Sequence, residues 1–204
     1  MVISKLKSKP YIIAEIGINH NGIYNLAKKL IIESKKAGAD AVKFQKRDVS
    51  DLVNYGSSPG RSKGYLSKNE KDIKKQTTKF GTWVYPDTRL ELSLSDYIKI
   101  KKLTKKLKLD LIITPWDEKS VQLIKKIGVK FLKIASIDAN NFHFCNYVAK
   151  QKLPTIISTG MCTYKEILDT QKIFKKYKTP HIFLHCTSAY PSDEKDKNLN
   201  CIPI

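Results

Sequence analysis

The chain has 204 residues, of which 41% are hydrophobic, enough for one domain with a sizeable core. It contains no run of about 18 apolar residues, so no membrane span is expected, and its first ten residues are too short and too broken for a secretion signal. The formal charge of +19 comes almost entirely from lysine, since the arginines are only Arg47, Arg61 and Arg89. Nucleic-acid binders cluster arginine and aromatic residues. The lysines are therefore expected to solvate helix faces and to attract a small anionic substrate, without nucleic acid as a partner.

Strand-like and helix-like stretches alternate along the chain. The apolar stretch 11–18 is predicted to be a strand, and 23–38 a helix that ends at Gly38. Residues 46–92 show little periodicity, and a loop of this length is usually functional or disordered. The other predicted strands are 40–45, 109–114, 130–136, 154–159 and 180–187, and the other predicted helices are 94–108, 117–128, 141–151 and 163–177.

Two of the predicted helices carry sequence signals at their ends. Asp117 is expected to be an N-cap, and Gly128 is expected to stop the same helix. Thr163 and Glu166 have the spacing of a capping box. These signals support the helix boundaries independently of the apolar periodicity.

Six β/α steps predict a parallel sheet with right-handed crossovers. The two candidate folds are the TIM (β/α)8 barrel and the open doubly wound sheet. The first strand is not followed by GxGxxG or a P-loop, which weakens the nucleotide-binding open sheet. Polar residues at the carboxyl ends of the strands favour the barrel. Because only about six β/α units are present, the expectation is an incomplete barrel that lacks its last strands.

Side-chain alternation places polar groups on one face of each strand, near its carboxyl end. In a parallel barrel these ends surround one pocket. The residues in phase are Ile13, Glu15, Gly17 and Asn19 in the first strand, Ala41, Lys43 and Gln45 in the second, and Phe131, Lys133 and Ala135 in the fourth, while Thr114, Ser158, His185 and Thr187 end other strands.

The two strand lysines carry most of the chemical signal. A lysine between apolar neighbours is costly to bury without an anion. Lys43 and Lys133, facing one pocket, would repel each other unless a doubly charged ligand lay between them. Phosphate plus carboxylate fits this requirement. The alternatives are pairing with a buried acid, such as a salt bridge from Lys43 to Glu15, or snorkelling from a short strand.

The remaining candidate groups are weaker. Glu15 could orient a polyol or move a proton. His20 could cap the next helix or contact substrate, whereas His143 and His181 are expected to be packing or surface residues. His185 is either a pocket residue or a hydrogen-bonded structural histidine. The four cysteines form no CxxC pair, which fits a reduced, cytoplasmic setting.

Six stretches in this order resemble the N-acetylneuraminate (sialic acid) synthase family, which includes legionaminic and pseudaminic acid synthases. They are AEIGINHNG, GADAVKFQKRD, ITPWD, FLKIAS, ISTGM and LHCTSAYP, and the resemblance extends from residue 11 to about residue 200. It implies a (β/α)8 barrel followed by an antifreeze-like (SAF) domain. It also implies condensation of phosphoenolpyruvate with an N-acetylated amino sugar, which yields a nine-carbon 2-keto sugar acid and phosphate for surface polysaccharide synthesis.

The resemblance also implies residue roles. Glu15, Lys43 and Lys133 are the expected catalytic residues. The residues assigned to phosphoenolpyruvate are Lys43, Thr114, Lys133, Ser136, Ser158 and Ser188. The residues assigned to the sugar are Glu15, Gln45 and Tyr190.

The chain also departs from the family pattern. The family's divalent metal, Mn²⁺ or Mg²⁺, is held by two histidines in segments that would follow residue 204, so metal binding by this chain is not expected. Residues 1–204 are interpreted as the N-terminal portion of the barrel, without the SAF domain that contributes to the family homodimer. The chain alone is therefore expected to be inactive. Alternatives are a non-catalytic anion-binding fragment, one half of a split enzyme, or another phosphoenolpyruvate aldol-type synthase.

Overall fold

The computed structural model describes residues 10–48, 90–189 and 191–202. In these ranges six strands alternate with five helices: β1 (Ile13–Gly17), α1 (Tyr24–Lys36), β2 (Ala41–Lys46), α2 (Leu94–Lys106), β3 (Asp110–Pro115), α3 (Glu118–Ile127), β4 (Phe131–Ile134), α4 (Phe142–Lys150), β5 (Thr155–Ser158), α5 (Tyr164–Lys176) and β6 (His181–Leu184). The predicted order of strands and helices is confirmed, and the ends differ by at most three residues. Most of the predicted loop, residues 49–89, lies outside the described residues. None of the described helices is both long and apolar enough to span a membrane.

All six strands are parallel and follow one another in the order β1-β2-β3-β4-β5-β6. Consecutive order is typical of a barrel sheet, whereas the doubly wound sheet reverses its strand order in the middle. The register places Glu15 opposite Lys43 and Gln45 opposite Thr114. The sheet topology therefore agrees with the barrel candidate and not with the open sheet.

The helix ends follow the local sequence signals. Asp117 accepts a hydrogen bond from the backbone N–H of Ser120 at 2.6 Å, and Gly128 ends α3 with a left-handed φ of +75°. Thr163 and Glu166 form a reciprocal capping box at the start of α5. The predicted caps are confirmed, and they fix where each helix leaves the sheet.

The outer face of the sheet packs on the helices and holds the main core. Alternating strand residues belong to this core and are almost fully buried. Burial of each large apolar side chain stabilises the folded state by roughly 1.5–3 kcal/mol. The strand residues are Val42, Phe44, Leu111, Ile113, Leu132, Ile134 and Ile157, and helix residues packed with them include Ile31, Tyr97, Val121, Val148 and Phe174.

The inner face begins with a small apolar layer at the amino-terminal side of the sheet. Ala41, Ile112 and Ile156 are buried there, with Ile13 and Phe131 packed against them. Two residues further along each strand, toward its carboxyl end, the inner-face residues are polar. The apolar layer thus forms the floor beneath the polar residues.

The first and last strands differ from the predicted alternation. Gly17 ends β1 with φ +56°, and the pairing with β2 shifts between Glu15 and Gly17. The prediction that Asn19 is in phase with Glu15 is therefore wrong, because the chain turns at Gly17. Similarly, β6 ends at Leu184, so His185 follows the strand and does not belong to it.

Candidate active site

The inner face carries a layer of polar side chains directly above the apolar floor. Each member lies two residues after a floor residue on the same strand, so strand geometry aims it into the same space. The pairs of floor and polar residues are Ile13 and Glu15, Ala41 and Lys43, Ile112 and Thr114, Phe131 and Lys133, and Ile156 and Ser158.

Lys43 and Glu15 form an ion pair across neighbouring strands. They lie opposite each other in the register of β1 and β2, and the Lys43 ammonium contacts Glu15 Oε2. The Lys43 side chain is 13% exposed, whereas Glu15 is 49% exposed. The salt-bridge alternative for Lys43 is therefore confirmed, and Glu15 still has a face open to a ligand.

Lys133 differs from Lys43 because it makes no ion pair or hydrogen bond within the described part of the chain. Burial, followed by the positive charge of Lys43, lowers the pKa of Lys133 to about 8. Glu15, Asp138 and Cys186 act in the opposite direction, but more weakly. Lys43 and Lys133 therefore influence each other electrostatically. Among the described residues, one carboxylate, that of Glu15, pairs directly with one of these two cationic groups.

Four hydroxyl groups lie at or just beyond the carboxyl ends of the strands. Thr114 is 2% exposed, and its Oγ1 finds no hydrogen-bond partner among the described residues. A Cβ added to Gly160 would lie 2.4 Å from Ser188 Oγ and 3.0 Å from Ser136 Oγ. The two serine hydroxyls thus converge on Gly160, where only a residue without a side chain leaves them room. Ser158, at the end of β5, is 5% exposed.

Glu15 and Gln45 converge in a similar way on Gly17. A Cβ at Gly17 would lie 3.2 Å from Glu15 Oε1 and 3.5 Å from Gln45 Nε2. The backbone carbonyl of Gln45 is fixed by the hydroxyl of Tyr97, which donates to it at 2.7 Å. Tyr190, the third residue assigned to the sugar, lies outside the described residues.

The histidines take structural roles. The buried Nδ1 of His20 accepts from the backbone N–H of Gly22 at 3.0 Å, and burial lowers the pKa of this imidazole. His143 is exposed and His181 packs against Phe174, as predicted. His185 is exposed, and its Nε2 lies 2.6 Å from the carbonyl oxygen of Lys197. The geometry therefore supports the interpretation of His185 as a hydrogen-bonded structural histidine.

Sequence reasoning missed the network that fixes the ends of β2 and β3. Glu91 binds Lys46 Nζ at 2.9 Å and Arg47 Nε at 3.0 Å, and the Arg47 guanidinium lies 5.6 Å from the centre of the Trp116 ring. Glu91 is remote in sequence from the two cations, so no periodic pattern could pair them. Gly160 was also missed as a packing constraint, although it stands in the ISTGM stretch.

The described residues include no group of three or more His, Cys, Asp or Glu side chains that could hold a metal ion. These residues therefore do not by themselves form a site for the divalent metal that the family resemblance implies. The side chains brought together here offer ammonium, hydroxyl and carboxylate groups.

The fold and site define a class: α/β proteins whose parallel strands follow in barrel order, with lysine and hydroxyl side chains on the inner face near their carboxyl ends. Residues 30–204 match the model of the NeuB family. The chain belongs to this family.

Comparison with individual proteins agrees with this assignment. The chain is 36% identical to an N-acetylneuraminate-9-phosphate synthase of Drosophila melanogaster, over 100% of the chain and 52% of that protein. It is 36% identical to an N,N'-diacetyllegionaminic acid synthase of Legionella pneumophila, over 94% of the chain and 52% of that protein. The crystal structure of the sialic acid synthetase of Leptospira borgpetersenii in complex with citrate has a TM-score of 0.76 and 32% identity, and the match covers 96% of this chain and 60% of that one. The chain thus spans about half the length of the curated relatives it matches.

Proposed function

We propose that this chain forms the phosphoenolpyruvate-binding part of a sialic-acid-type synthase. The observation that carries the proposal is the convergence of Lys43 and Lys133 above one apolar floor, with Glu15 as the one acid paired directly with either of them within the described residues. A dianion is the natural complement of this excess positive charge. Each charge-assisted hydrogen bond would contribute roughly 1.5–3 kcal/mol.

In this proposal the phosphate and carboxylate of phosphoenolpyruvate lie between the two ammonium groups. Thr114 supplies a buried hydroxyl that has no partner among the described residues. Ser136 and Ser188 supply the two hydroxyls that meet above Gly160, and Ser158 supplies another at the end of β5. Donors that are fixed before the ligand arrives lose little entropy when it binds, so they favour tight anion binding.

The amino sugar is proposed to bind beside Gly17, where Glu15 and Gln45 meet. A carboxylate and an amide together accept from and donate to neighbouring hydroxyls, as a polyol requires. Tyr190 is the third proposed sugar contact. The sialic, legionaminic and pseudaminic substrate types share an N-acetylated open-chain sugar, and the proposal extends to that common class.

The proposed reaction forms a carbon–carbon bond. C3 of phosphoenolpyruvate attacks the aldehyde carbon of the sugar, water adds at C2, and the C–O bond to phosphate breaks. Lys43 and Lys133 hold the phosphate and carboxylate and stabilise the charge that develops on them. Glu15 is positioned to orient the sugar or move a proton at its hydroxyls. The divalent metal that the family resemblance implies is not assigned to any described residue, and no step is written through it.

We also propose that the six strands are part of a (β/α)8 barrel. Ile182 and Leu184 of β6 lie opposite Ile156 and Ser158 on the inner face, yet they are 40% and 37% exposed. Apolar residues on an inner barrel face are normally covered by the next strands. The isolated chain is therefore proposed to bind the anion without completing the condensation. The SAF domain, the homodimer and the cytoplasmic setting stay predictions.

Isothermal titration of phosphoenolpyruvate into the 204-residue chain tests the anion site. Lys43→Met is expected to lower affinity at least about tenfold, because it removes a charge-assisted contact of roughly 1.5–3 kcal/mol. Lys46→Met is the matched control, since Lys46 is equally 13% exposed and also pairs with a glutamate, Glu91, but lies on the opposite face of β2. Equal affinity in the native chain and in Lys43→Met, or metal-dependent product formation by the isolated chain, would overturn the respective parts of the proposal.

A further inference from the structure

Lys133 is a half-buried amine without a counter-ion in the described residues. The comparison with other lysines is direct: Lys43 pairs with Glu15, Lys46 with Glu91 and Lys130 with Asp110. Lys133 instead lies on the inner face of β4, near Lys43 and between apolar neighbours on its own strand. A buried ammonium in this position loses water and gains no direct ion pair.

The groups around Lys133 favour the neutral amine. Desolvation is the largest influence and the positive charge of Lys43 is the second, and together they lower the pKa of Lys133 to about 8. Cys186, Glu15 and Asp138 oppose this shift without cancelling it. Desolvation and a neighbouring cation are the two conditions that turn a lysine into a nucleophile at neutral pH.

We propose that Lys133, when no dianion occupies the pocket, captures small 2-keto acids as an imine. The neutral Nζ donates its lone pair to the C2 carbonyl carbon and forms a C–N bond. The carbonyl oxygen then leaves as water together with the two amine protons, and no oxidant or reductant is consumed. This activity goes beyond the proposed condensation, although it uses the same pocket.

The pocket favours 2-keto acids over simple aldehydes and ketones. Lys43 and the hydroxyls of Ser136 and Ser188 would hold a carboxylate, which places the adjacent C2 carbonyl next to Lys133. The product of the proposed condensation is itself a 2-keto acid and presents the same two groups. A bound dianion has the opposite effect, because it stabilises the protonated form of Lys133 and blocks imine formation.

Reductive trapping tests this inference. The chain is incubated with pyruvate and cyanoborohydride at about pH 7.5, and the labelled lysines are identified by peptide mass spectrometry. An amine with a pKa of about 8 is roughly one-quarter neutral at this pH, against about one-thousandth for an ordinary lysine. Even with the lower nucleophilicity of the less basic amine, labelling of Lys133 is expected to exceed that of exposed lysines at least about tenfold. The other lysines in the same digest serve as internal controls.

Two variants sharpen the test. Lys133→Arg keeps the charge and is expected to remove the dominant label. Lys43→Gln removes the neighbouring cation, which raises the pKa of Lys133 and slows its labelling, whereas Lys46→Gln leaves it unchanged. Labelling of Lys133 at the rate of the exposed lysines, in a native chain that still binds phosphoenolpyruvate, would overturn the inference and leave the proposed function standing. Selective labelling that phosphoenolpyruvate fails to suppress would support the inference and contradict the anion site.

Discussion

Replacing Thr114 with valine is expected to stabilise the fold and weaken anion binding at the same time. Thr114 is 2% exposed, and its hydroxyl has no hydrogen-bond partner among the described residues. An unsatisfied buried hydroxyl costs about 1–3 kcal/mol, and valine has nearly the same shape. In the proposed function, a phosphate or carboxylate oxygen accepts from this hydroxyl when the ligand binds.

The matched control is Thr170→Val. Thr170 is 1% exposed, but its hydroxyl donates to the carbonyl oxygen of Ala139 at 2.6 Å. Without this hydroxyl, the carbonyl oxygen of Ala139 loses a strong hydrogen-bond donor. The substitution should therefore lower the free energy of unfolding by about 1 kcal/mol. The two substitutions make the same chemical change at nearly equal burial. Opposite changes in stability would therefore isolate the effect of the hydrogen-bond partner that the Thr114 hydroxyl lacks.

The free energy of unfolding can be measured by urea denaturation, and anion affinity by titration of phosphoenolpyruvate. Thr114→Val should gain about 1 kcal/mol of stability, which corresponds to a rise in melting temperature of roughly 2–4 °C for a domain of this size. It should also lose about tenfold in affinity, whereas Thr170→Val should lose stability only. If Thr114→Val lost stability as Thr170→Val does and kept full affinity, the hydroxyl would have a structural role and the reasoning would be refuted.

Three further predictions concern Gly160, Lys133 and the helix cap at Asp117. Gly160→Ala should lower anion affinity with little loss of stability, because the new methyl group would lie 2.4 Å from Ser188 Oγ and turn that hydroxyl away; affinity that is unchanged by calorimetry would contradict it. Because the pKa of Lys133 in the folded chain is about 8, below its unfolded value of 10.5, the free energy of unfolding should rise with pH between these two values in urea denaturation. Over the same range anion affinity should fall as the ammonium is lost, and affinity that does not change between about pH 7 and 9 would be inconsistent with its role. Asp117→Ala should cost about 1–2 kcal/mol in urea denaturation, since Asp117 caps α3 through Ser120 at 2.6 Å; Asp169→Ala, at an exposed helix position paired to a lysine, is the control and should change stability by less than about 0.5 kcal/mol.

The elements and the inner face of the sheet could be predicted because they depend on local periodicity. A period of two placed Lys43 above Ala41 and Lys133 above Phe131, and the caps at Asp117 and Thr163 fixed two helix starts. Consecutive β/α steps then indicated parallel strands. These features depend only on neighbours in sequence, so the sequence of this chain by itself carries enough information.

Contacts between distant segments could not be predicted in the same way. Alternation gave the face of Lys43, but its salt bridge to Glu15 was only one of several alternatives, because the choice depends on the register of β1 and β2. The same limit applies to Glu91, which binds cations on a remote strand. The turn at Gly17 also broke the predicted phase of β1, because a left-handed glycine redirects the chain without any change in hydrophobic pattern.

A crystal structure of the chain soaked with phosphoenolpyruvate tests the proposed anion site. We expect the phosphate and carboxylate oxygens to lie within hydrogen-bond distance of both the Lys43 and Lys133 ammonium groups, with the Thr114 hydroxyl donating to one of them. A saturating soak that leaves this pocket without ligand, or places the ligand against surface lysines alone, would contradict it.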